Sequence, residues 1–165
     1  MTETTQYVTL GIDREVFAVS VAGVQEILDL CPIARLPHAP PYLLGMIDVR
    51  GHGVPVIDLR TRLGLPVAET TPDSRILVIE VPAGGRSLVV GLLADRVFEV
   101  TALDGGRLDP PPEIGTRWRS ECISGVGRRG DAFVVVFDLE RLFTTDEVPL
   151  LDSSRMVSGT TGVAA

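Results

Sequence analysis

Two histidines, two cysteines and a scatter of carboxylates are the groups in this 165-residue chain whose types would announce chemistry. Nucleophilic catalysis needs a hydroxyl or thiol with a base in reach. His38 sits in the run Pro37-His38-Ala39-Pro40-Pro41 and His52 in Arg50-Gly51-His52-Gly53. Both runs read as solvent-facing turns, so both imidazoles read as exposed loop residues. Cys31 and Cys122 stand 122 − 31 = 91 positions apart without a CxxC pair, and read as small apolar side chains rather than a metal site or a disulfide. GxSxG and HExxH are absent, and the glycine pairs at 84–85 and 105–106 read as hairpin tips. The fifteen basic residues are all arginine, which excludes P-loop, Schiff-base and Ser–Lys chemistry. Among the carboxylates, Asp58 and Asp138 are a conceivable acid pair, but each stands at a strand-to-helix junction where N-capping is the simpler role. Glu26 stands between Val24 and Ile27, an acid beside semi-exposed apolar groups. Arg50, at a strand end, reads either as an interface anchor or as a turn charge, and Trp118 either as a stacking platform or as core.

The elements that would position these groups state one pattern twice. Phe17 to Ile27 is echoed by Val90 to Val100 at an offset of 97 − 24 = 73, and Gly45 to Leu63 by Gly125 to Phe143 at 138 − 58 = 80. Segments 7–12 and 15–19 read as a hairpin, 43–49 and 54–57 as a second, 75–81 and 87–93 as a third, and 122–126 and 132–137 as a fourth. Residues 22–30 switch period: Val24, Ile27 and Leu28 fall at i, i+3 and i+4, which predicts a short helix. Pro55 suggests an edge strand. Asp58 and Asp138 open short helices through Leu63 and Phe143, and 66–73 is the natural linker. The expected fold is mainly β: two small packed barrels, roughly 7–66 and 74–144, with a few short helices and strands free to cross between them.

Composition agrees. Halves of about 75 residues would be marginal alone and must share a core, and 45% apolar content is enough to build one. A formal charge of −7 disfavours nucleic acid as a partner. No stretch reaches the roughly 20 apolar residues of a membrane span, and the polar start is not a secretion signal, which points to the cytoplasm. Beyond Leu151 the Ser/Thr/Gly-rich tail has nothing to bury, and 153–165 reads as disordered.

The motifs also resemble a family. Val24-Gln25-Glu26-Ile27 is similar to V-Q-E-I, Leu36-Pro37-His38-Ala39-Pro40 to L-P-x-x-P, and Gly45-Met46-Ile47 to G-V-I. Val54 to Leu59 matches V-P-V-I-D-L, and Gly91 to Val100 is similar to G-L-L-V-D-x-V-x-E-V. In this order they resemble the CheW-like domain family of bacterial chemotaxis coupling proteins, over about 7–151 within a single domain, 1–152. The resemblance implies two five-stranded SH3-like barrels around a shared hydrophobic interior, and an adaptor that is not an enzyme and needs no cofactor or metal. It implies a chemotaxis histidine kinase (its regulatory CheW-like domain) and a chemoreceptor cytoplasmic tip as partners, recruitment to receptor arrays without membrane insertion, and self-association or kinase contacts in rings. Receptor contacts carry over to Val24, Glu26, Ile27 and Arg50, with Gly91 and Val97 lining the groove between barrels. Kinase contacts carry over to Gly45, Asp48, Val49 and Gly51. One departure stands out: Asp48-Val49-Arg50-Gly51 replaces N-L-R-G, placing a carboxylate two residues from Arg50 and inviting a local ion pair. Other readings are a coupling protein for a motility or developmental array, a barrel that senses a small ligand, and a hydrolase using Asp58 and Asp138.

Overall fold

A strand with apolar residues at successive positions needs apolar cover on both faces. Segments 7–12, 88–94 and 134–137 are of that kind. The computed structural model describes residues 5–62, 65–66, 68–83, 86–103, 108–109 and 123–138; Trp118, Cys122, the helix expected after Asp138 and the 153–165 tail lie outside them. Among the described residues ten strands form two sheets. In chain order they are β1 (Gln6–Ile12), β2 (Glu15–Ser20), β3 (Val24–Asp29), β4 (Leu43–Val49), β5 (His52–Asp58), β6 (Arg75–Ala83), β7 (Arg86–Ala94), β8 (Arg96–Ala102), β9 (Ile123–Arg129) and β10 (Ala132–Phe137). The first sheet runs β8-β1-β2-β10-β9 and the second β3-β6-β7-β5-β4. Among the described residues a 3-10 turn, Val21–Gly23, and α1 (Leu59–Arg62) are the helical elements, so the mainly β expectation of two five-stranded units holds.

Period-2 alternation sends each strand's side chains to two cores. On β1, Val8, Leu10 and Ile12 enter a cluster common to both sheets, while Tyr7 packs on a cluster private to the first sheet. On β2, Phe17 and Val19 go to the common cluster and Val16 and Ala18 to the private one. In β7, Leu88, Val90, Leu92 and Ala94 face the common cluster, and Val89 and Leu93 the second sheet's own. Among the described residues the common cluster contains sixteen buried residues, against four in each private one, so each sheet draws most of its described core from the shared layer. Phe17 and Phe137 stack at its centre, ring centroids 5.1 Å apart.

The twofold pattern in the sequence is a twofold pattern in the chain path, with an exchange. The run β1 to β5 is one repeat and β6 to β10 the other, and each repeat places its first two strands in one sheet and its last three in the opposite sheet. Even the register repeats. The parallel pair Val56↔Gly91 joins β5 to β7, and Val136↔Ala18 joins β10 to β2, positions related by offsets of 136 − 56 = 80 and 91 − 18 = 73. The 66–73 linker expected between the halves does run from one repeat to the other, but the two sheets do not divide there, because strands cross. That linker connects α1, which follows β5, to β6, both elements of the second sheet. The chain changes sheets at Val21–Gly23 and at Asp95, whose neighbours Ala94 and Arg96 belong to different sheets.

Two local expectations are corrected. Residues 24–29 form strand β3 rather than a helix, because pairing with β6 supplies hydrogen bonds that a segment of barely two turns cannot nucleate by itself. A bulge between Val24 and Glu26 explains the misleading spacing. It turns Val24 to the common core and Leu28 to the private one. Pro55 lies in β5, between β7 and β4, and not at an edge. The parallel ladder to β7 begins only at Val56, so Pro55 sits outside the stretch that needs donors on both sides.

Charge locks the two units together beside the crossing. Arg60 on α1 donates from Nε to Asp95 Oδ1 (3.0 Å) and from Nη2 to Asp95 Oδ2 (2.7 Å). Asp95 Oδ2 also accepts the Asp13 backbone N–H (2.7 Å) from the β1–β2 turn. Partial burial pushes the Asp95 carboxyl up, but the hydrogen bonds from Arg60 and Asp13 and the charges of Arg60 and Arg96 outweigh it and hold it below the ordinary carboxylate range. A depressed carboxyl stabilises the fold above its unfolded-state pKa, and that contribution is lost as pH falls through the folded value. Stability in urea should therefore fall more steeply in the wild type than in Asp95→Asn as pH drops below about 4; parallel pH profiles would show that the lock is not coupled to folding. Val56→Asp, a carboxylate in the second sheet's core, should cost several kcal/mol and abolish the cooperative melt by circular dichroism. A folded variant would refute the inward assignment of Val56.

A candidate protein-binding face on the barrel edges

The order of strands leaves β3 and β4 as opposite edges of the second sheet. Curling brings them together. Arg50, in the two-residue turn between β4 and β5, donates from Nη2 to Glu26 Oε2 on β3 at 3.2 Å. The pair joins the two edges of an open barrel by side chains alone. Ile27, next along β3, is 41% exposed, so an apolar group stands beside a charged pair on a rigid strand. Gln25 donates to Glu80 on β6 (3.1 Å), which fixes the polar side of the same face.

Arg50 occupies an unusual backbone state. The turn consists of Arg50 (φ 52°) and Gly51 (φ 84°), since Val49 and His52 are already paired. Both residues lie in the left-handed region that two-residue hairpins demand and that glycine and asparagine prefer. An arginine there costs about 1 kcal/mol. Its side chain is 82% exposed. Asp48, the departure from N-L-R-G, takes no charge from it: Oδ1 accepts the Gly51 N–H at 2.8 Å, the hydrogen bond an asparagine would make. The ion pair expected between Asp48 and Arg50 gives way to the pair with Glu26.

The remaining expected residues divide. Val24 and Val97 stand at equivalent points of β3 and β8, and both pack against the common core as partly buried residues. Val49 is half-buried against the second sheet's own cluster, and Gly51 is exposed. Two glycines are not surface residues at all. Gly91 is buried, and a side chain there would meet Ile76 (2.9 Å) and Val56 (3.5 Å) inside the second barrel. Gly45 is buried with the backbone oxygen of Ala34 only 2.1 Å from where its Cβ would lie; the close approach admits the Ala34↔Met46 bridge. Both glycines, Gly91 expected along the groove and Gly45 at the kinase contact, are thus buried positions that permit close packing.

Groups screened for catalysis are otherwise engaged. Asp58 caps α1, its carboxylate accepting the Arg60 N–H (3.1 Å) and the Thr61 hydroxyl (3.0 Å). His38 and His52 are exposed. Gly125-Val126-Gly127-Arg128-Arg129-Gly130 has GxGxxG spacing, but it runs along β9 into a hairpin turn and opens no helix, so it lacks the helix N-terminus that would hold a phosphate. Among the described residues no group of three or more His, Cys, Asp or Glu is arranged to hold a metal ion, and no helix is long and apolar enough to cross a membrane.

Reasoning from the sequence missed a second edge pair. Glu99 on β8 meets Arg129 on β9, joining the two edges of the first sheet as Glu26 and Arg50 join those of the second. The signal was available, because 26 + 73 = 99 carries Glu26 onto Glu99.

Comparison with known proteins places this architecture. A family model described as the CheW-like domain matches residues 6–147. A probable chemotaxis protein CheW from Rhizobium etli is 32% identical over 142 residues, covering 86% of this chain and 89% of the relative. The chemotaxis protein CheW of Klebsiella aerogenes is 28% identical over 148 residues, 90% of this chain and 87% of that one. The crystal structure of scaffolding protein TtCheW from Thermoanaerobacter tengcongensis superposes with a TM-score of 0.76 at 28% identity, covering 87% of this chain and 90% of that chain. The two chains share one fold. With the model spanning both exchanged repeats and both edge strands, the chain belongs to the CheW-like domain family.

Proposed function

We propose that this chain is a non-catalytic adaptor of a chemotaxis array, coupling a chemoreceptor's cytoplasmic signalling tip to a histidine kinase on the cytoplasmic side of the membrane. The observation that carries the reading is exposed Ile27 beside the Glu26–Arg50 pair, with Arg50 held in a costly backbone state. An amphipathic receptor helix laid against such a face buries its apolar stripe on Ile27 and the rim of Val24. The charged pair orients it more than it adds affinity, since an exposed pair contributes about 0–1 kcal/mol. Val97 completes the apolar rim from the other unit. Asp48, Val49 and Gly51, on the hairpin beyond Arg50, form the face offered to the kinase. Gly91 and Gly45 support the receptor and kinase faces from beneath by letting backbone and core close up. The names of the relatives, chemotaxis and scaffolding proteins, agree with this role.

Three variants test it by pull-down against a receptor tip and a kinase regulatory domain. Glu26→Lys should weaken receptor binding about tenfold or more with the melting temperature nearly unchanged; an equal loss of stability would make Glu26 structural. Arg50→Gly should relieve about 1 kcal/mol of backbone cost and raise Tm by roughly 2–4 °C, yet weaken receptor capture. Receptor binding that survives Arg50→Gly would sink the proposed role of this residue. Asp48→Asn should leave both the turn and the kinase contact intact, because the amide oxygen can accept the same Gly51 N–H.

A further inference from the structure

The two crossings between sheets are not held alike. Val21-Ala22-Gly23 has no polar side chain, and Ser20, which caps it, makes no side-chain hydrogen bond there. Asp95 is pinned from three directions. The Arg60 fork grips both of its carboxylate oxygens, and its own N–H donates to Gly11 O (3.1 Å). Asp13 joins from the β1–β2 turn. Its N–H reaches Asp95, its carboxylate accepts from Arg60 (3.4 Å), and its carbonyl accepts from Arg96 Nη2 (2.8 Å). The repeat does not supply the same device to the other crossing, since 95 − 73 = 22 is Ala22 and 60 + 80 = 140 is Glu140.

Each crossing feeds a rim residue of the receptor face. Val24 follows Gly23 directly, and Val97 stands two residues after Asp95. Every step from Arg60 to Val97 is constrained. The Arg60 side chain is 14% exposed, on a helix anchored by fully buried Leu59. A guanidinium that grips two carboxylate oxygens fixes angle as well as distance. Beyond Asp95, Arg96 is paired with Gly11 and Val97 with Leu10. The Arg60 side chain itself bonds only Asp95, Asp13 and Pro66, none of them in either binding face. From this we infer that Arg60 is a positioning residue for the receptor face, fixing where Val97 stands relative to Val24 and Ile27, a role that rests on the adaptor reading. The kinase face of Asp48, Val49 and Gly51 lies wholly in the second sheet's unit. It does not depend on the angle between units, and this separates positioning from plain stability.

Two measurements on the full chain decide it. The first is the distance distribution between spin labels on Asp29→Cys and Val100→Cys, exposed sites on the strands that follow the two crossings. Cys31→Ser and Cys122→Ser remove the native thiols. Arg60→Gln should broaden or displace the distribution by about 1–2 Å, the scale on which packed elements shift. Arg60→Lys keeps the charge but loses the fork, so it should show the same change in smaller measure. It carries the comparison if Arg60→Gln does not fold. The second measurement is binding of a receptor tip and of a kinase regulatory domain, without labels. Both variants should weaken receptor binding at least about threefold and leave kinase binding within about twofold. A residue serving stability alone would lower Tm and leave both affinities of the folded protein unchanged. An unaltered distance distribution in the folded variants, a receptor loss below about threefold, or equal loss of both partners would each overturn the inference. A wild type that captures no receptor tip would overturn the adaptor reading and this role together, whereas capture retained by both variants overturns this role alone.

Discussion

Everything in this molecule rests on one shared apolar layer. Strand exchange makes it obligatory: each repeat commits two strands to one sheet and three to the other, so neither sheet can form until both repeats contribute. The crossings are too short to permit any other arrangement. One is a single 3-10 turn and the other a single residue, Asp95. Among the described residues sixteen buried side chains lie in the common cluster and four in each private one, so separating the units would expose most of that described core. The Arg60–Asp95–Asp13 lock adds direction to that layer. It joins α1, the second crossing and the β1–β2 turn at one point, where nearby elements could otherwise slide.

The same constraint explains why the surface is organised at the edges. A sheet buried on both faces has few outward positions in its central strands, and β1, β2, β6 and β7 are accordingly almost wholly committed to the cores. The exposed apolar side chains Ile27, Phe98, Val100 and Phe133 accordingly fall on β3, β8 and β10. Exposed edges invite aggregation, and each edge here is interrupted by a bulge and closed over by a glutamate–arginine pair. A single device thus blunts the edge and decorates it.

Much of this was legible from the residues. Hairpins at Asp13-Arg14 and at Arg50 to Gly53 followed from turn chemistry between β-branched runs, although the second turn is only Arg50-Gly51 and β5 already begins at His52; the cap at Asp58 followed from its place after Val54-Pro55-Val56-Ile57. Duplication was visible as well. What stayed hidden was whatever depends on partners distant in sequence. Spacing at Val24, Ile27 and Leu28 mimicked a helix because a bulge reverses the faces of a strand, and a bulge is defined only against its neighbour. The exchange of strands was invisible because a repeat looks the same whichever sheet it joins. The burial of Gly45 and Gly91 was not legible either, because motif spacing marks a constrained position without saying whether a backbone oxygen, a core side chain or a partner sets the constraint.

The two edge faces show how a duplicated fold acquires asymmetry without losing its frame. Bulge, register and ion pair are kept in both copies, since they set strand geometry and each is over-determined by neighbours. Side chains that only face outward are free to differ. Gln25 against Phe98, Asp48 against Arg128 and Gly53 against Phe133 are changes of surface chemistry at constant backbone. The arginine itself moves by one position, from the tip residue Arg50 to Arg129, the last residue of β9. That shift leaves Gly130, at φ 61°, to take the left-handed place. The first face thus bears a backbone cost that the second avoids, while both hold an arginine against a glutamate. The first tip thus displays the cation Arg50, whereas the second displays Gly130 and the anion Asp131.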